Sequence, residues 1–225
     1  MFGFGPTFAD RGDAGRQLAD ALQEQAHANP IVMALPRGGV PVAFEVARRL
    51  DAPLDLLIVR KIGAPGQPEY GIGAVVDTKE PHVVVNEEAA RNFSIPPGYL
   101  ATERDHQLSE IQRRHRMYFG EDEPRDHDHS GRDVILIDDG IAVGVSIRAG
   151  IHALKQMGVA SICIAVPVAP RDVVESLRDE VDEIVCLSAP ERLQAVGAHY
   201  GDFTQTTDQE VVRLLKEARK FGKAP

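Results

Sequence analysis

At 225 residues the chain has room for one generous domain, and 43% hydrophobic with 26% charged residues is the make-up of a folded protein, not of a disordered or collagen-like one. Its 34 acids against 25 Lys and Arg give a formal net charge of -9, which disfavours nucleic acid held by counterion release. No run reaches the ~18 apolar residues of a membrane span, the first residues carry no basic and apolar leader, and Cys163 and Cys186 lie in apolar runs that suit buried reduced thiols; a cytoplasmic setting is expected.

In chain order, Ala14, Leu18, Leu22 and Ala26 recur at helical spacing and predict an amphipathic helix over about residues 11 to 27. Ile31 to Leu35 is a continuous apolar strand, ended by Pro36-Arg37-Gly38-Gly39 and followed by a helix through Val40, Ala43, Phe44, Ala47 and Leu50. A second buried strand, Leu56 to Val59, runs straight into Arg60-Lys61; Ile72 to Val76 and Val83 to Val85 are further strand candidates. Residues 87-130 break the pattern, with only a narrow stripe of Leu108, Ile111, His115 and Tyr118 among charged neighbours, and predict an inserted, largely exposed helix.

The rhythm resumes at Val134 to Ile137, then a helix carrying Ile147, Ile151 and Leu154 that stops at Gly158, placed as a C′ glycine. Strands are expected at Ser161 to Val166 and Glu183 to Leu187, with a short helix through Val173, Val174 and Leu177 between them. Thr207 and Glu210 sit at capping-box spacing before Leu214 and Leu215 in a final helix. About seven strand candidates alternating with helices predict an α/β fold over residues 1-225: a mostly parallel, doubly wound sheet flanked by helices.

The chemistry concentrates at Val134-Ile135-Leu136-Ile137-Asp138-Asp139-Gly140-Ile141-Ala142-Val143-Gly144-Val145-Ser146. Two acids end a buried strand, and a loop of small residues opens the next helix, the place where open α/β sheets take ligands. Successive backbone N–H groups of such a loop converge on an anion at the positive end of a helix, so residues 142 to 146 suit a phosphate. Two adjacent carboxylates at a strand end need hydroxyls, a cation or a developing positive charge nearby. A plain helix-capping acidic turn and a phosphoacceptor aspartate are the alternatives.

This stretch resembles the signature of the type I phosphoribosyltransferases: four apolar residues, two acids, two apolar residues and a small or hydroxyl loop ending Gly-x-Thr/Ser. The resemblance implies that Asp138 and Asp139 hold the ribose hydroxyls of phosphoribosyl pyrophosphate, and that Ala142, Val143, Gly144, Val145 and Ser146 cradle its 5-phosphate. It implies Mg2+ carried by the substrate rather than by protein ligands. It further places Arg37, Gly38, Gly39 and Lys61 on the pyrophosphate, often with a non-proline cis peptide in the first of these loops. Members usually carry Thr where this chain has Val143. On its own chemistry, the Arg37-Gly38-Gly39 turn combines a cation with two residues lacking Cβ, which lets backbone approach a polyanion.

Residues 62 to 73 are rich in Gly and Pro and fall where the family has a loop that closes over substrates, with Glu69 and Tyr70 as contacts; a plain hairpin explains them equally. Residues 189-207 are the candidate hood, which would place His199, Tyr200, Asp202 and Phe203 at the acceptor, an aromatic ring stacking on a flat base. A packed C-terminal turn is the alternative there. His127-Asp128-His129 reads as a solvated loop, and Arg113 to Arg116 as a solvated helix face. The resemblance thus implies Mg-dependent transfer of phosphoribose to a small nitrogenous acceptor, a purine or pyrimidine base foremost, with a homo-oligomer left open. The competing expectation is a regulatory module that binds phosphoribosyl pyrophosphate without transfer.

Overall fold

Asp10 has an extended backbone, and its carboxylate accepts the N–H of Asp13, so the chain turns there into helix α1 (Arg11–Leu22). The computed structural model describes residues 7–23, 28–77, 83–85, 90–120 and 129–222. The continuous apolar runs become β1 (Pro30–Ala34), β6 (Asp133–Ile137), β7 (Ser161–Val168) and β8 (Glu183–Ser188), joined at the edge by β2 (Leu54–Leu56). All five pair in parallel in the order β2-β1-β6-β7-β8.

Alternate residues of these strands serve two cores. Val32, Ala34, Ile135 and Ile137 pack with α1 and with α2 (Gly39–Leu50), whereas Ile31, Met33, Val134 and Leu136 pack with the helix Val145–Gln156. That burial on both faces is why the strands read as uninterrupted apolar runs. Strand β1 neighbours β6 with Ala34 opposite Ile137, which sets the Pro36–Gly39 turn beside Asp138 and Asp139.

The expected strand over 56 to 59 divides in two. Leu56 ends β2, and Val59 opens β3 (Val59–Ala64), which forms a separate antiparallel sheet with β4 (Gln67–Val76) and β5 (Val83–Val85). Between them Leu57 is buried in one core and Ile58 in the other, so the chain changes sheets without any apolar break. Lys61 therefore lies inside a hairpin opposite Ala74, not at the end of a buried strand.

Within the predicted insertion, α3 (Tyr99–Phe119) buries Gln107, Ile111, His115 and Tyr118, with Leu108 half-buried beside them. Helix α4 (Val145–Gln156) gives way to Gly158 at φ +69°, and α5 (Arg171–Leu177) follows Pro170. In α6 (Asp208–Ala218) the Thr207 hydroxyl accepts the Glu210 N–H at 3.1 Å. One expectation is overturned here. His129 is buried, its Nε2 3.0 Å from Asp55 Oδ2, so this end of the His-Asp-His run is a packed contact instead of a solvated loop; His127 and Asp128 lie outside the described residues. Cys163 and Cys186 are free thiols, the first buried and the second half-buried. Among the described residues no helix is long and apolar enough to cross a membrane.

Candidate active site

The ends of β1 and β6 are tied by the Leu35 N–H, which donates to Ile137 O at 2.9 Å. The peptide bond that follows, Pro36–Arg37, is cis. Both glycines of the turn are required by packing. A Cβ on Gly38 would stand 2.0 Å from Asp139 Oδ2, and one on Gly39 would stand 2.7 Å from Ile137 O and 2.9 Å from Asp138 Cα. The reason for Gly here is thus the close approach of two loops of the same chain, before any ligand is considered.

At this edge opens a cavity of about 480 Å³. Its floor is the loop after β6, with Asp138 and residues 140 to 147, and its wall is the hairpin, with Lys61, Tyr70 and Gly71. The loop reaches α4 through Gly144 at φ +86°, a left-handed turn that only Gly enters without cost. Its position is set by the Ile141 N–H on Val168 O at 2.9 Å and by Arg148, which binds Glu180 Oε1 at 3.0 Å and Ser176 Oγ at 2.6 Å. Val143 projects from it, 72% exposed, and Ser146 is exposed at the first turn of α4. The stem of Lys61 runs over Gly71, whose missing Cβ would meet Lys61 Cδ at 2.9 Å.

The two acids are not equivalent. Asp138 lines the cavity, and its Oδ1 accepts the N–H of Asp139 at 2.9 Å. Burial, reinforced by the charge of Asp139, pushes the Asp138 pKa well above the usual carboxylate range. Asp139 turns away from the cavity to Arg11: Arg11 Nε and Nη2 donate to its Oδ2 at 2.8 Å and 2.7 Å. Burial raises Asp139 too, but Arg11 opposes the shift. Sequence reasoning passed over Arg11. A signal existed, because a cation in the first turn of a helix opposes the helix dipole and calls for a partner.

Of the residues expected at the pyrophosphate, Lys61 lines the cavity, whereas Arg37 reaches toward α6, its Nη1 3.9 Å from Asp208 Oδ1. Asp208 also accepts the Tyr118 hydroxyl at 2.5 Å. The expected closing segment folds as the β3–β4 hairpin, with Tyr70 43% exposed and its ring 4.8 Å from that of Phe93; the Glu69 side chain lies outside what is described.

The expected acceptor group sits elsewhere than on this cavity. Tyr200 is buried, its ring 5.3 Å from Phe8 and 4.9 Å from Phe203, and its hydroxyl donates to Asp139 O at 2.5 Å. Phe203 carries the Arg11 guanidinium 3.9 Å above its ring. Asp202 caps its own turn through the Thr204 N–H and hydroxyl, and His199 Nδ1 lies 3.3 Å from Thr7 Oγ1. Two rings expected to stack on a base are thereby committed to packing. The segment does adjoin the acidic turn, because a Cβ on Gly140 would meet Val196 Cγ1 at 2.5 Å.

A family model described as the phosphoribosyl transferase domain matches residues 10–200. A Mycobacterium tuberculosis protein named as a phosphoribosyl transferase, found under two strains, is 42% identical over 221 residues, 96% of this chain. The alignment takes in 48% of that protein, so the chain spans about half the length of the curated relatives it matches. The crystal structure of the protein TT1426 from Thermus thermophilus superposes with a TM-score of 0.76 at 40% identity, covering 93% of this chain and 98% of that one.

Proposed function

This chain belongs to the phosphoribosyl transferase domain family, whose members are pentosyl-transferring glycosyltransferases, and from that premise we propose that its cavity binds phosphoribosyl pyrophosphate and transfers the phosphoribosyl group to a nitrogen acceptor. The observation that carries the reading is the gathering of Asp138, the 142 to 146 loop, Lys61 and Tyr70 around one cavity at the carboxyl edge of a parallel sheet.

In this reading Asp138 accepts the ribose hydroxyls and, once ionised, stabilises the positive charge that develops on the sugar as the C1–O bond to pyrophosphate lengthens. The N–H groups of residues 142 to 146 hold the 5-phosphate at the start of α4, with Ser146 adding a hydroxyl. Lys61 faces the departing pyrophosphate, and the Arg37-Gly38-Gly39 turn borders it on the other side. Tyr70 and Glu69, on the hairpin, cover the substrates, which excludes water.

In this reading Mg2+ arrives with the substrate; it is commonly held by substrate phosphates together with one or two carboxylates, and Asp138 lines the cavity. Bound with the pyrophosphate, the ion would neutralise charge on the leaving group. In the same reading the acceptor enters beside residues 189-207, of which Val196 packs on the acidic turn at Gly140. A cytoplasmic setting and action without nucleic acid belong to the same reading.

One observation favours a second reading, a module that binds without transfer: Val143 offers no hydroxyl where the family carries one. Calorimetric titration with Mg2+ and phosphoribosyl pyrophosphate, followed by pyrophosphate release over a panel of purines, pyrimidines and other nitrogen bases, decides. Binding with base-dependent release supports transfer, binding without release supports the module, and no binding rejects both.

A further inference from the structure

We propose that Arg11 is a positioning residue that locks the 200 to 204 segment onto the acidic turn, so that the sugar site and that segment are set as one unit; the inference rests on the reading of the cavity given above. Three groups of the Arg11 side chain are used at once. Nε and Nη2 bind Asp139 Oδ2 at 2.8 Å and 2.7 Å, Nη1 donates to Thr204 O at 2.8 Å, and the guanidinium plane covers Phe203 at 3.9 Å. The side chain is only 11% exposed and that of Asp139 15%. An ion pair this enclosed is held in one geometry, and a planar fork with an aromatic lid is the arrangement that Arg makes and Lys does not.

The position of the pair gives it consequence. Asp139 Oδ2 occupies the notch left by Gly38, so Arg11 fixes the carboxylate against the Arg37-Gly38-Gly39 turn. The backbone carbonyl of the same residue accepts the Tyr200 hydroxyl at 2.5 Å, a second tie from the acidic turn to the same segment. With Asp139 drawn out to Arg11, Asp138 is left facing the cavity. Arg11 therefore acts through Asp139 on both loops that border the sugar, and through Thr204 and Phe203 on the 200 to 204 segment. It touches no substrate itself.

The test uses the full chain and the variants R11M, which keeps an apolar stem, R11K, which keeps the charge, and D139N. Calorimetry with Mg2+ and phosphoribosyl pyrophosphate reads affinity, and hydrogen exchange with and without that ligand reads the coupling. The expected result is binding weakened tenfold or more in R11M with circular dichroism unchanged, incomplete rescue in R11K, and no further loss on adding D139N to R11M. In the wild type the ligand should slow exchange at residues 200 to 204 as well as 138 to 146, and in R11M only at 138 to 146. Wild-type affinity in R11M, or ligand protection of 200 to 204 that survives in R11M, overturns the positioning role. If the wild type binds no phosphoribosyl pyrophosphate, the functional reading falls. The coupling is then judged without ligand, where simultaneous faster exchange of both segments in R11M upholds the lock and unchanged exchange overturns it.

Discussion

Gly38 and Asp139 are packed so closely that a single methyl on the glycine would lie 2.0 Å from the carboxylate oxygen Oδ2. The nearest atom is the end of a side chain pinned by Arg11. Gly38→Ala should therefore displace the Asp139–Arg11 pair, at a cost of about 1–3 kcal/mol from overpacking. The expected outcome is a lower Tm together with weaker binding of Mg2+ and phosphoribosyl pyrophosphate. Gly158→Ala, where a Cβ would meet nothing within 4 Å but φ is +69°, should cost stability through backbone strain and leave binding unchanged.

Unequal placement of the acids makes unequal variants. Asp138→Ala removes the carboxylate that lines the cavity and should lower transfer by about 10²-fold or more while the fold survives, because a group that stabilises developing charge carries that much rate. Asp139→Ala leaves the enclosed Arg11 guanidinium without its carboxylate partner, so its first effect should be on Tm. Comparing pyrophosphate release and thermal melts of the two variants checks the division.

Val143 is 72% exposed in the loop assigned to the 5-phosphate. Val143→Thr adds a hydroxyl donor without altering the backbone, and one such hydrogen bond is worth about 0.5–1.5 kcal/mol, roughly 2- to 10-fold in affinity. Tighter binding by calorimetry is the expected outcome, and an unchanged constant would place the phosphate elsewhere.

The pH dependence has a definite sign. Burial and the charge of Asp139 raise the Asp138 pKa, so Asp138 takes a proton, and sugar binding weakens, at a pH above the ordinary Asp value of about 3.9. Asp139→Asn removes the like charge and should move this acid limb to lower pH. The free ligand's phosphates titrate identically in both experiments, so the difference between the two profiles reports the complexes. The same carboxyl contributes stability to the ligand-free fold that is present below about 3.9 and lost as pH rises through its folded pKa, because the folded state holds the proton longer.

Much of this was legible before any coordinates. Ile31 to Leu35 and Val134 to Ile137 read as buried strands because both their faces are covered, and the Asp138 to Ser146 loop stood out because small residues after a paired acid have few structural uses. The switch from β2 to β3 was hidden because Leu57 and Ile58 are both apolar yet belong to different cores. His129 was misplaced because its partner Asp55 lies 74 residues away and the sequence around His129 is itself polar. Arg11 and Asp139 are 128 residues apart, and periodicity says nothing about such pairs. Tyr200 and Phe203 were expected at the acceptor, but composition alone does not tell a ring that stacks on a ligand from one that packs beneath an arginine.

The most direct measurement is a crystal structure of the full chain with Mg2+ and phosphoribosyl pyrophosphate. The account predicts ribose hydroxyls on the Asp138 carboxylate, the 5-phosphate on the N–H groups of residues 142 to 146, and Asp139 still held by Arg11. A ligand bound away from Asp138 with this cavity empty would contradict it.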